Sequence, residues 1–268
     1  MPPPETDQER AVLVALNRVR ARAGLPGVQE RAAWAAGCAL HARYLVREDR
    51  AEHREAPGSA FRTPDGEACA PGHFFVTSRA DSGALRALTY WVGGAFHLPQ
   101  LLDPRLTWVA FGEAQDAAGG VRSAAVLDVR RGLSGTARYP VRYPAPGKAV
   151  PALPAATAEW PDALAGCPAV SGLRGAPVAA LLGPDAAPAV TGVTLRVNGQ
   201  AWPACLLTAQ SFRGVTETET QVGRGVLAAQ GAALALPDRP LPPGAAVQVM
   251  FRTTGAPLTW SFRVQGPQ

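Results

Sequence analysis

The chain has 268 residues, 47% of them hydrophobic, which is enough for one large domain or two ordinary ones with real cores. Formal net charge is +5, a balance that raises nucleic acid as a partner. Lys148 is the only lysine, the arginines are scattered and no long basic run occurs, so the bias belongs to an Arg-, Ala-, Gly- and Pro-rich composition, and no nucleic-acid partner is expected.

Thr6-Asp7-Gln8-Glu9 reads as a capping box, and Val12, Leu16, Val19 and Ala23 recur at helical spacing until Gly24 and Pro26 stop the pattern. Trp34, Cys38, His41 and Leu45 form a second stripe, so residues 29–47 read as an amphipathic helix with His41 as a packed, hydrogen-bonded core histidine. Residues 48–82, punctuated by Pro57, Gly58, Pro64, Gly66, Pro71 and Gly72, read as a structured loop region. An irregular segment of that length in a compact domain points to function. Residues 82–91 predict a third helix. His97 then follows Gly93 and Gly94 and opens a Leu-Leu-Asp-Pro-Arg turn, kept out of a regular element by Pro99 and Pro104. Residues 106–114 alternate as a strand, and 121–129 form a second that pairs with it across the Ala117-Ala118-Gly119-Gly120 turn. Three helices before a hairpin suit an α/β sandwich.

Residues 139–147, with Pro140, Pro144 and Pro146, are too proline-rich for a helix and separate this half from one with almost no helical periodicity. Beyond them β-prone runs recur at 177–182, 190–197, 205–207, 226–236, 246–251 and 259–264, with Gly, Pro and Asn between, the pattern of an antiparallel sandwich. Thr216-Glu217-Thr218-Glu219-Thr220 alternates with polar groups on both faces and reads as a solvated loop or edge. Gly223-Arg224-Gly225-Val226-Leu227-Ala228 fits the loosest dinucleotide fingerprint, yet it opens a predicted strand rather than a helix and is a chance match. Gly132-Leu133-Ser134-Gly135 lacks the spacing of a nucleophile elbow, and His53-Arg54-Glu55 has no P-C-x-x-C partner of a zinc deaminase. The cysteines fall two per half, Cys38 and Cys69, then Cys167 and Cys205, which suits one disulfide in each; four buried free thiols are the alternative. No apolar run approaches the ~18 to 20 residues of a membrane span. Met1-Pro2-Pro3-Pro4-Glu5 lacks the regions of a signal peptide, so the expectation is either a cytosolic protein or a mature secreted chain with Met1 added.

Residues 91–112, WVGGAFHLPQLLDPRLTWVAFG, resemble the end of the core of the CAP superfamily (cysteine-rich secretory proteins, antigen 5, pathogenesis-related proteins) in its short bacterial form. There a helix ending in Trp is followed by a Gly/His pair, a turn ending Asn/Asp-Pro-Arg, and a core strand. Upstream, Leu16-Asn17-Arg18-Val19-Arg20 with Gly24-Leu25-Pro26 resembles the family's opening helix, and Ala39-Leu40-His41-Ala42-Arg43-Tyr44 its second. His53 with Thr63-Pro64-Asp65-Gly66 resembles the first cavity histidine and the loop after it. In the second half, Pro240-Leu241-Pro242-Pro243-Gly244 and Leu258-Thr259-Trp260-Ser261-Phe262 resemble the last two strands of bacterial immunoglobulin-like modules. The resemblance implies an α+β chain: an α/β/α sandwich CAP-like domain over residues 5–138, then an antiparallel immunoglobulin-like β-sandwich over 145–268.

A CAP cavity typically holds two histidines and two glutamates, and the resemblance puts His53 and His97 at the histidine positions. Gly72-His73-Phe74 stands where Gly-Glu-Asn is usual, and Gly93 and Gly94 where many members have a glutamate after the helical tryptophan. Glu55 and Glu67 are the remaining candidate carboxylates, and Arg62 and Arg105 a candidate positive rim. The leading expectation is a secreted or envelope-associated binding protein whose cavity has lost cation chemistry and serves as a groove for a peptide, glycan or lipid of the cell envelope. The alternative is a hydrolase of peptide or envelope polymer in which His53, His73 and His97 hold zinc or another divalent cation with an open fourth position. A third reading is a purely structural or adhesive pair of domains with ordinary loop histidines.

Overall fold

The computed structural model describes residues 7–80, 83–152, 155–168, 172–184 and 189–266; Thr6 of the expected capping box and Ser82 of the expected third helix lie outside them. The chain groups into two compact units. One takes the residues up to Val19, Pro26–Trp91 and Arg105–Thr136; the other takes Arg20–Leu25, Val92–Pro104 and the residues from Ala137 on. The short segments 20–25 and 92–104, the second of which carries His97, thus group with the C-terminal half.

In the first unit, β1 (Gln29–Glu30), β3 (Trp108–Gln115), β4 (Ser123–Asp128) and β2 (His73–Thr77) form a sheet in the order β1-β3-β4-β2. The predicted hairpin is β3 with β4, paired antiparallel, and β2 adds antiparallel to the far edge of β4. Helix α2 runs Ala32–Arg47, shorter than the stripe suggests, because Gln29 and Glu30 pair parallel with Trp108 and Val109 before the helix begins. Its buried face, Cys38, Ala42, Leu45 and Val46, meets Ala110, Ala124 and Val126, with Phe74 and Val76 packed on the same side. Gly112 allows this approach: a Cβ there would stand 2.1 Å from the Ala39 amide nitrogen of α2. The opposite face takes α4 (Ala84–Gly93), where the ring of Tyr90 lies 5.1 Å from Phe75 and Trp91 lies 5.8 Å from His73. Near the start of α1 (Asp7–Arg22), Glu9 acts on Glu113, an odd-register residue of β3 that points away from α2. Helices therefore cover both faces of one sheet. Within the expected loop region sits a further helix, α3 (Pro64–Cys69): Thr63 caps it by accepting from the Gly66 amide, and Pro64 opens it. Cys38 and Cys69 are disulfide-bonded, tying α3 to α2.

In the second unit two sheets enclose one core. The first is ordered β10-β11-β7-β5 from Ala204–Thr208, Ala232–Pro237, Val178–Leu181 and Val141–Tyr143; the second is β6-β13-β12-β8-β9 from Ala149–Val150, Leu258–Val264, Ala246–Thr253, Val190–Val197 and Gln200–Trp202. Alternate residues Val247, Val249 and Phe251 of β12 and Trp260, Phe262 and Val264 of β13 face Val178, Ala180, Ala233 and Ala235 across the core. The proline-rich stretch is not a free spacer: Val141 to Tyr143 pair with β7, and the buried Tyr143 phenol is pushed up to about 12 by loss of water. The readings of residues 216–220 as a solvated loop or edge and of 226–236 as one β-prone run need correction. Residues 217–228 form helix α6 (Glu217–Ala228), capped by a reciprocal pair in which the Thr216 hydroxyl accepts from the Glu219 amide and the Glu219 carboxylate accepts from the Thr216 amide. Gly223 and Gly225 thus lie inside a helix and form no strand-to-helix phosphate turn, so the fingerprint match fails for a different reason than expected. Cys167 and Cys205 are bonded, giving one disulfide per half, and no described cysteine is free.

Candidate functional site

In the first unit the loop after α2 is organised by carboxylates. His41 is fully buried, with Nδ1 3.1 Å from Glu55 Oε1 and Nε2 3.2 Å from the Glu52 carbonyl, the packed core histidine its stripe predicts. Glu55 also accepts from the Thr63 amide at 2.7 Å, and its own amide donates to Glu67 Oε2 at 2.8 Å. Tyr44 donates to Glu52, and burial first, then Glu52 itself, raises its pKa. Only 2% exposed, the Glu55 carboxylate is consumed in holding the loop between residues 55 and 67. Glu67 and Arg62 face each other at 3.9 Å on the surface. Arg105 is half-buried, and its carbonyl accepts from the Ser134 and Gly135 amides.

His53 and His73 make different ring contacts. His53 is exposed, with its ring 4.6 Å from that of Phe74 and Nδ1 3.3 Å from the Ala70 carbonyl. His73 is buried and turns its ring to Trp91. His73 and Phe74 are successive residues of β2, so their side chains leave the strand on opposite faces.

In the second unit His97 sits between α4 and a four-residue helix, α5 (Leu98–Leu101), which Pro99 starts rather than prevents. Its Nδ1 is 2.7 Å from Glu159 Oε2. The Glu159 carboxylate, with no exposed surface, also accepts from the Ala95 and Phe96 amides. Glycine makes this possible: a Cβ at Gly94 would stand 2.7 Å from Glu159 Oε2 and 2.9 Å from His97 Nδ1, and one at Gly93 would collide with Thr157 Oγ1. The strap carrying Glu159 is pinned along its length. The Thr157 amide donates to the Gly93 carbonyl, Arg174 pairs with Asp238, and Cys167 is bonded to Cys205 of β10. Below the histidine turn, the buried guanidinium of Arg20 donates to the Leu101 and Asp103 carbonyls at 2.7 and 3.1 Å. Burial lowers its pKa to about 10, with Asp103 opposing, so it stays charged at neutral pH.

Chemically, the Glu159 contact fixes the tautomer and orientation of His97 and leaves Nε2 as the ring atom not used by that carboxylate. Among the described residues no group of three or more His, Cys, Asp or Glu side chains is placed to hold a metal ion, whereas a catalytic zinc takes three protein ligands.

The helix-covered sheet of the first unit and its β3-β4 hairpin lie in a segment that a family model matches. Residues 13–128 match the CAP model, that of the cysteine-rich secretory protein family. The match runs from α1 to the end of β4 and supports the CAP superfamily for this segment. The comparison with curated proteins found no match. For the CAP segment the notable point is where the carboxylate beside His97 comes from: Glu159 lies outside the matched residues, in the strap of the C-terminal half. Sequence reasoning missed it because it is 62 residues from its partner in an irregular stretch. The available signal was Gly93-Gly94 itself, two absent side chains just after the buried Trp91 and Val92, where something else must fill the space.

Proposed function

We propose that this is an extracellular CAP-type binding protein, without metal-dependent turnover, in which His97 is a fixed recognition group. The observation that carries this is the closed contact of His97 with the fully buried Glu159 carboxylate and two backbone amides. Such a network holds the imidazole in one orientation, as recognition requires, and uses as a structural partner the carboxylate that a metal site would need. The paired cysteines and the absence among the described residues of any helix long and apolar enough to cross a membrane fit an extracellular setting. The second unit is read as an immunoglobulin-like spacing or adhesion module, and the ligand as a peptide, glycan or lipid of a cell envelope. Elemental analysis of protein purified without chelator, with His53→Ala and His97→Ala alongside, tests the reading. The expected result is no stoichiometric metal in any of the three and envelope binding that survives chelator. About one equivalent of zinc, lost in both variants, would restore the hydrolase alternative.

A further inference from the structure

Arg31 and Arg131, far apart in the sequence, both stand over the Trp34 indole in the first unit. Arg31 stands over two indoles, 5.0 Å from the ring centre of Trp108 and 5.6 Å from that of Trp34. Arg131 stands over Trp34 at 4.7 Å and pairs with Asp128. Arg130 follows on the same turn, which the Asp128 carboxylate ties down through the Arg130 and Arg131 amides. Arg31, Arg130 and Arg131 are exposed and both tryptophans half-exposed. Asp128, which pairs with Arg131, is buried, so that carboxylate is itself withdrawn from solvent. Arg31 also occupies the N-cap of α2 without capping it, a position where a cation meets the positive end of the helix and where Ser, Thr, Asp or Asn would stabilise more. Its placement there is accounted for by the two indoles.

We infer that this arginine–tryptophan surface binds a carboxylated polysaccharide. A guanidinium whose flat face lies on an indole keeps its edge, the fork of N–H donors that matches a carboxylate, turned outward at little cost in side-chain freedom. Half-exposed indoles beside it offer apolar edges to the C–H faces of sugar rings. The Thr107 and Ser134 hydroxyls, paired with each other at the same end of β3, add exchangeable hydrogen-bond partners for sugar hydroxyls. An acidic peptide supplies the charge without the rings, and a neutral glycan the rings without the charge. The surface uses no residue of the His97 site. It rests on the binding-protein reading only for its physiological setting.

The test is calorimetric titration of the full chain with oligogalacturonate, its methyl ester and poly-L-glutamate, repeated with Arg31→Gln, Arg31→Lys and Trp34→Phe, each checked by thermal melting. The expected result is binding of the free acid alone, weakened about tenfold by Arg31→Gln and less by Arg31→Lys, and falling with added salt. No binding by the wild type, equal binding of the ester or of poly-L-glutamate, or full affinity in Arg31→Gln would overturn it. Trp34→Phe keeps an aromatic face and covers the case in which another variant folds poorly. Because the Arg31 surface holds no metal-ligand candidate, these results stand apart from the zinc assay, and either reading can fail alone.

Discussion

At the residue level the second unit holds a buried carboxylate beside His97. A buried carboxylate with three donors is stable only while all three remain, so Glu159→Ala strands the Ala95 and Phe96 amides and the inner nitrogen of His97. A buried donor left without a partner costs about 1–3 kcal/mol, and denaturant unfolding should show a loss of that order, with a smaller one for Glu159→Gln. Gly94→Ala attacks the same contact from the other side, by placing a methyl group 2.7 Å from the carboxylate oxygen. It should cost about 1–3 kcal/mol in the wild type and less once Glu159 is alanine, because the clash with the carboxylate is gone and only that with His97 Nδ1 remains. A double-mutant cycle measures this directly; strictly additive losses would mean that Gly94 is glycine for another reason.

At the level of elements, what could be read in the sequence depended on whether one pattern dominated. The stripes Val12, Leu16, Val19 and Trp34, Cys38, His41, Leu45 each carry one period and became α1 and α2, and the alternation around Trp108 became β3. Thr216 to Thr220 carries two patterns at once, a polar alternation and a Thr-x-x-Glu capping box, and the box prevails because Thr220, Gly223 and Leu227 bury at helical spacing. Thr216→Ala should therefore cost about 1 kcal/mol, which denaturant unfolding of the variant would detect; an unchanged midpoint would show that packing alone holds α6. Helix α1 and strand β3 meet in a different balance. Burial, and then Glu9, raise the pKa of Glu113, so the folded state disfavours its charged form. With the folded pKa above the unfolded one, the native state binds more protons in between, and stability falls as pH rises through that window. Glu113→Gln should raise the melting temperature at neutral pH and lose that advantage below the ordinary carboxylate range. An equal gain at both pH values would point to packing rather than charge.

For the molecule as a whole, helices on a sheet form the first unit and two sheets around a core the second, with residues 20–25 and 92–104 grouped in the second. The contact of His97 with Glu159 was not legible in the sequence, since no local periodicity reports a partner 62 residues away. The disulfides link the two kinds of information, because their even distribution is visible in the sequence while their consequence is tertiary. Cys38–Cys69 joins two helices, but Cys167–Cys205 anchors the otherwise irregular strap on which Glu159 rides, with sheet β10 as the fixed end. Replacing Cys167 and Cys205 by serine should therefore do more than remove the roughly 2–4 kcal/mol that such a cross-link supplies. A loosened strap releases the His97 imidazole, so the ring-nitrogen NMR signals of His97 should broaden or shift in the variant while the fold persists by circular dichroism. Thiol titration of the unreduced, denatured wild type should meanwhile find no free cysteine. Unchanged His97 signals in the serine variant would mean that the Thr157 and Arg174 contacts hold the strap by themselves, and that the disulfide serves the sandwich rather than the site.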